Sequence, residues 1–210
     1  MPFPKAVIFD FDGVIVDSER QRFRFLGKVL KEYGLHLSNA DFKSFVGRKR
    51  GEYLGDKFNS ALNKGDVLRI LKRCRQDQLD RPGLYSRPIQ GVKSYVASLK
   101  RREIPAYIVT GSNMPIVKKY LKINNLNNYF NILVTGEEIS HSKPHPEIYR
   151  TSLKKLSVPK NKLLVLEDSA AGVQAAKRAG LKVAAISTTQ PKSMLKGADL
   201  VVDSFREIKY

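Results

Sequence analysis

The chain has 210 residues, one cysteine and a formal net charge of +18. That length suits one large domain, or one domain carrying an insertion, and it buries enough surface to fold without staples. The lone Cys74 excludes an internal disulfide and suits a reducing compartment, and no apolar run approaches the roughly 20 residues of a membrane span, so a cytoplasmic protein is expected.

Met1-Pro2-Phe3-Pro4-Lys5 leads directly into Ala6–Phe9, a continuous apolar run with β-branched residues. Such a run is the mark of a strand buried on both faces of a parallel sheet. Asp10 and Asp12 follow at once, so the stretch is not a signal peptide. From about residue 17 to residue 87 no strand-like run occurs. Phe23, Leu26, Val29, Leu30 and Tyr33 recur at helical spacing instead, as do Phe42, Phe45 and Val46, and later Val67, Leu68 and Leu71. Arg81-Pro82-Gly83 and Arg87-Pro88 carry turn and linker chemistry and mark the return.

From there, helical patterns at 91–102, 114–123, 146–156 and 170–179 alternate with apolar runs at 104–110, 132–135, 162–166, 183–186 and 200–202. This alternation predicts right-handed crossovers and an α/β fold with a doubly wound, Rossmann-like parallel sheet. The expected organisation is a core of residues 1–16 and 88–210, interrupted by a small α-helical domain at 17–87. Lys177-Arg178-Ala179-Gly180 fits a helix end, with cations in the last turn and glycine after it.

Asp10 and Asp12 fall at the carboxyl end of the first strand, where ligands bind in open α/β sheets. Two close carboxylates there suit a hard cation such as Mg²⁺, which takes one or two carboxylates together with phosphate oxygens and water. A strand-end turn or helix cap is the plain alternative, and Gly13 serves either. Glu167-Asp168 follows another buried run and precedes Ser169, a helix N-cap candidate; a metal ligand and a cap can coexist there. Thr110-Gly111-Ser112-Asn113, at a strand end before a helix, offers a hydroxyl and free N–H groups to an anion, or a simple capped turn. Lys143 lies in a loop stiffened by Pro144 and Pro146. His141 and His145 read as local hydrogen-bonding residues, since nothing pairs them at zinc spacing.

Taken together, Asp10-Phe-Asp-Gly-Val-Ile-Val-Asp-Ser18, Val109-Thr-Gly-Ser112, Lys143-Pro-His-Pro-Glu-Ile-Tyr149 and Leu166-Glu-Asp-Ser-Ala-Ala-Gly172 resemble the four signature motifs of the haloacid dehalogenase superfamily. Order and spacing match over nearly the whole chain. The resemblance is strongest to the β-phosphoglucomutase/phosphoglycolate phosphatase group, whose helical cap follows the first motif. It implies Asp10 as the nucleophile that forms an aspartyl-phosphate, and Asp12 as the acid and base that serves the leaving oxygen and then water. It implies Thr110, Gly111 and Lys143 on the phosphate. It implies Mg²⁺ held by Asp10, the backbone carbonyl of Asp12, Asp168, and Glu167 as ligand or neighbour. A second aspartate at position 12 favours phosphoryl chemistry over dehalogenation. In the cap, the resemblance points to Ser18, Arg22 and Arg48 as substrate contacts; Arg22 stands where the mutase branch has histidine, which weakens a phosphomutase reading.

The expected activity is Mg²⁺-dependent hydrolysis of a small phosphate ester, a sugar phosphate or a phosphoglycolate-like compound, with a phosphomutase as the alternative. The charge raises a third possibility, a basic nucleic-acid-binding protein that uses the fold as a scaffold. Residues 14–87 hold 17 basic and 9 acidic residues and the rest of the chain 21 and 11, so the excess is spread rather than gathered. A spread charge reads as a solvated basic surface rather than a nucleic-acid footprint. Neither a membrane nor a partner chain is expected, and the expected state is a monomer.

Overall fold

The computed structural model describes residues 4–209. Met1–Phe3, part of the segment leading into the first strand, lie outside the described residues. Six parallel strands form one sheet: β1 (Ala6–Phe9), β2 (Ala106–Val109), β3 (Asn131–Val134), β4 (Leu163–Glu167), β5 (Lys182–Ile186) and β6 (Leu200–Val202). Their order is β3-β2-β1-β4-β5-β6. The chain winds outward from β1 in one direction and from β4 in the other, so the order reverses between these two central strands. A crevice opens at such a reversal, beyond the carboxyl ends.

The strand alternation reads directly in the packing. Val7 and Phe9 point into one core cluster, with α5 (Val92–Arg101) and α6 (Met114–Ile123). Ala6 and Ile8 point into a second, with α7 (Glu147–Lys154) and α8 (Ala170–Arg178). All four β1 residues are fully buried, which is why the run shows no polar alternation. The second strand is shorter than the apolar run suggests. Glu103 takes a positive φ of 56° and the Ile104 N–H turns back to the Leu99 carbonyl, so pairing with β1 begins only at Ala106.

Between β1 and α5 the chain forms four α-helices and no sheet strand: α1 (Glu19–Lys31), α2 (Asp41–Phe45), α3 (Arg50–Phe58) and α4 (Lys64–Asp80). They enclose a third apolar cluster built around Leu26, Leu30, Phe45, Tyr53, Leu54 and Ile70. Asn63 and Asp66 close a capping box at the start of α4. Two residues marked by helical spacing stay out of this cluster. Tyr33 lies past the end of α1 and is 37% exposed, and Leu68, on the flank of α4, is 67% exposed. The two chain crossings into the helical insertion run side by side: the Asp17 N–H donates to the Arg87 carbonyl at 2.8 Å, and the Ile89 N–H to the Ile15 carbonyl at 3.0 Å. Among the described residues no helix is long and apolar enough to cross a membrane.

Candidate active site

Asp10, one residue past β1, and Asp168, one past β4, reach the same crevice because β1 and β4 are paired in register, Phe9 opposite Leu166. Glu167 closes β4. One carboxylate oxygen from each of Asp10, Glu167 and Asp168 lies within 4.8 Å of the others, and all three residues are buried. Two glycines make room for them. A Cβ on Gly13, whose φ is +86°, would sit 1.9 Å from Asp168 Oδ2, and a Cβ on Gly172 would sit 2.0 Å from Glu167 Oε2.

Lys143 neutralises part of this charge. Its Nζ is 2.9 Å from Asp10 Oδ1 and 2.5 Å from Glu167 Oε1. Burial works against the lysine charge, but the two carboxylates outweigh it and hold the ammonium above its ordinary range. The Tyr149 hydroxyl also donates to Glu167 Oε1 at 2.5 Å, while Asp168 N and Ser169 Oγ lie 3.3 Å from Oε2. Glu167 is thus largely committed to neighbours. Asp168 Oδ2, by contrast, is buried with no hydrogen-bond partner. Burial pushes Asp10 up to about 7, with Glu167 and Asp12 adding to the rise and Lys143 opposing it. Burial, then Glu167 and Asp10, push Asp168 well above its ordinary value. An orphaned carboxylate oxygen beside two further acids fits a hard divalent cation, which would let the group ionise. Asp10 and Asp168 are the side chains placed to hold one.

Asp12 has a different environment. Ser112 Oγ donates to its Oδ2 at 2.5 Å, Ser18 Oγ donates to Oδ1, and Arg22 Nη1 stands 2.7 Å from Oδ2. Burial raises its affinity for a proton, yet Arg22 and the two hydroxyls prevail and hold Asp12 below the usual carboxylate range. Its carboxylate is not among the three that converge within 4.8 Å of one another.

A cavity of about 570 Å³ opens over these residues, between the sheet edge and the helical insertion. Thr110, Gly111 and Lys143 line it, as expected. Thr110 is buried and its Oγ1 accepts from the Ser112 N–H at 3.0 Å, while Gly111 faces open space. The three insertion residues part company. Ser18 is fully buried and orients Asp12 rather than meeting the cavity. Arg22 reaches the cavity wall, but its guanidinium is tied to Asp12 and, at 3.3 Å, to Glu19. Arg48 lines the cavity with its head group paired to Asp56. Arg50, two residues on, lines it without a carboxylate partner, held by Gln78 Oε1 at 2.5 Å. Arg50 and Glu19 went unread in the sequence, as did the contacts of Ser112 with Asp12 and of Tyr149 with Glu167. Ser112 and Tyr149 do lie within the segments 109–112 and 143–149 that carry the resemblance. His141 and His145, expected only to form local hydrogen bonds, instead converge with Glu147, one ligand atom of each within 4.8 Å of the others; His141 Nδ1 is 2.9 Å from Glu147 Oε2, and the Glu147 N–H donates to His145 Nδ1.

A family profile described as haloacid dehalogenase-like hydrolase matches residues 7–186. The chain belongs to that family. This haloacid dehalogenase-like hydrolase is 26% identical over 207 residues to validoxylamine A 7'-phosphate phosphatase of Streptomyces hygroscopicus subsp. limoneus, covering 98% of the chain and 96% of the relative. It is 29% identical over 178 residues to a phosphorylated carbohydrates phosphatase of Thermotoga maritima, covering 85% and 82%. Its fold is that of β-phosphoglucomutase from Clostridium difficile, with a TM-score of 0.87 at 23% identity over 99% of the chain and 94% of that structure. The family and the fold are those that the four motifs imply.

Proposed function

We propose that this enzyme, a hydrolase of phosphoric monoesters, is an Mg²⁺-dependent phosphatase that releases phosphate from a small phosphorylated metabolite through an aspartyl-phosphate on Asp10. The observation that carries the reading is the convergence of Asp10, Asp168, Lys143 and Asp12 at one end of the central strands, beneath a cavity of about 570 Å³. Asp10 would attack phosphorus in line with the leaving oxygen. Lys143, already 2.9 Å from Asp10, and the Thr110–Gly111 turn would hold the phosphoryl oxygens and stabilise the charge that builds there. Asp12, oriented by Ser18, Ser112 and Arg22 and held by them below the usual carboxylate range, would take a proton from the water that releases phosphate and, once protonated, give it to the leaving oxygen of the next ester. Asp10, Asp168 and the Asp12 backbone carbonyl would hold the metal, with Glu167 behind them. When bound, Mg²⁺ would screen the repulsion between Asp10 and the dianionic ester and polarise the phosphoryl group.

We read residues 17–87 as a cap that chooses the substrate. Its cavity face is cationic, with Arg50, Lys72 and Arg75 among the lining residues. A volume of about 570 Å³ exceeds what a two-carbon ester fills and suits a sugar-sized one. The names of the two phosphatase relatives, one for validoxylamine A 7'-phosphate and one for phosphorylated carbohydrates, support a small phosphate ester, and the second supports a sugar-sized one. We read the protein as a monomer with a solvated basic surface and no nucleic-acid partner. The test is phosphate release from a panel of phosphorylated metabolites and p-nitrophenyl phosphate, with and without Mg²⁺. Turnover that needs the metal and disappears in Asp10→Asn is expected. Conversion of β-glucose 1-phosphate to glucose 6-phosphate would point to a mutase instead. Steeply salt-dependent binding to duplex DNA with no phosphate release would overturn the enzyme reading.

A further inference from the structure

The helical insertion grips the loop that carries Lys143. Two contacts do this, and neither belongs to the acidic centre. Lys49 Nζ donates to the Ile139 carbonyl at 2.7 Å. The Glu52 carboxylate accepts from Ser142 twice, from the N–H at 3.2 Å and from the hydroxyl. Ser142 is 7% exposed and peptide-bonded to Lys143. The rest of the loop is fastened from the core side: Glu147 accepts from the N–H groups of Ser140 and His141 at 3.0 and 2.7 Å, and Arg178 donates to the Pro144 carbonyl at 3.0 Å. The insertion therefore holds this loop at residues 139 and 142, and of the two only 142 adjoins Lys143.

We propose that Glu52 is a positioning residue for Lys143: through Ser142 it couples the seating of the helical insertion to the placement of the lysine ammonium over Asp10. The inference rests on the reading of Lys143 as the phosphate-holding lysine. A carboxylate that accepts from both donors of one residue fixes that residue's backbone as well as its side chain. Lys143 cannot adjust freely from the other side, because its Nζ is already shared between Asp10 and Glu167. With Glu52 in place the lysine meets the phosphate where the insertion has closed the cavity. Without Glu52 the Ser142 N–H loses its acceptor, and the lysine backbone drifts while the acidic cluster stays as it is. Positioning of this kind acts on the bound phosphoryl group and leaves the overall fold alone.

The test compares the full-length wild type with Glu52→Ala, Glu52→Gln and Lys143→Met, and with Lys57→Ala as a control from the same insertion. Three readouts are taken: kcat/KM for p-nitrophenyl phosphate, the affinity for inorganic phosphate with Mg²⁺ by calorimetry, and amide hydrogen exchange along 139–147. Glu52→Ala should lower kcat/KM and phosphate affinity by about 10-fold or more, the scale of losing hydrogen bonds to a charged group. Glu52→Gln, which keeps one acceptor oxygen, should fall between. In a Lys143→Met background the same Glu52→Ala change should cost no further phosphate affinity. Exchange should quicken at Ser142 and Lys143 while Ser140 and His141 stay protected. Equal phosphate affinity in wild type and Glu52→Ala, an undiminished loss in the Lys143→Met background, or unchanged exchange at 142 and 143 would each overturn the proposal. A wild type that releases no phosphate from any ester removes the parent reading instead, and the exchange result still reports on the grip itself.

Discussion

Replacing Arg22 with methionine separates two roles for this residue. The side chain sits between two buried carboxylates, with Nη1 2.7 Å from Asp12 and 3.3 Å from Glu19, and the side chains of all three are about a tenth exposed or less. Methionine fills similar space without charge. Asp12 would keep the hydroxyls of Ser18 and Ser112, but Glu19, whose Oε2 is buried with no hydrogen bond even now, would lose its paired cation and keep only the weaker influence of Arg50 and Lys143. Removing one partner of a buried pair costs about 3–5 kcal/mol. For a chain of this size each kcal/mol lowers Tm by roughly 2–4 °C, so Arg22→Met should melt about 6–20 °C below wild type. Adding Glu19→Gln should recover a large part of the loss, because it removes the stranded charge. Thermal unfolding by circular dichroism reads the shift, and p-nitrophenyl phosphate kinetics should show a fall in kcat as Asp12 loses its alignment. A Tm within about 2 °C of wild type, less than about 1 kcal/mol, together with a rise in KM alone, would refute this reasoning and make Arg22 a substrate contact.

Gly172→Ala places a Cβ 2.0 Å from Glu167 Oε2, and overpacking of this kind costs about 1–3 kcal/mol, read as a lowered Tm with weaker Mg²⁺ binding. Arg50→Ala should raise KM for the true substrate by about 10-fold or more, while Arg48→Ala, whose side chain is engaged by Asp56, should leave KM nearly unchanged; kinetics on the substrate found by the metabolite panel decide between them. The pH dependence has a defined sign. Asp10 rises from 3.8 to about 7 on folding without metal, and Asp168 moves the same way, so at these two sites the folded state binds more protons than the unfolded one. The contribution of these two sites to stability is full below the unfolded value and is lost as pH rises toward about 7. Mg²⁺ needs the ionised acids, so its gain in Tm should be larger near about pH 8 than near about pH 5; a gain that shrinks as pH rises contradicts the assignment of these acids to the metal.

The sheet and its ligand edge were readable from local pattern. A strand buried on both faces must be apolar throughout, so Ala6–Phe9 and Leu163–Glu167 stand out, and the acids that follow them necessarily lie at one edge of a parallel sheet. The helical insertion was readable for the same reason, since a face that packs on its neighbours repeats at 3.6 residues. What local pattern could not decide was where each polar head group ends. Ser18 and Arg22 read as substrate contacts, and the packing of α1 against the first loop turned both onto Asp12. Arg48 and Arg50 are neighbours in one basic run, and only the start of α3 sent the first to Asp56 and the second to the cavity. Tyr149 on Glu167 and Glu52 on Ser142 join residues 18 and 90 positions apart. The sequence by itself determined the fold, the family and the acids at the sheet edge, because periodicity and motif order are properties of the chain. The tertiary structure alone decided which charges are spent on one another and which remain for a substrate, because a long side chain's partner depends on what folding brings within reach.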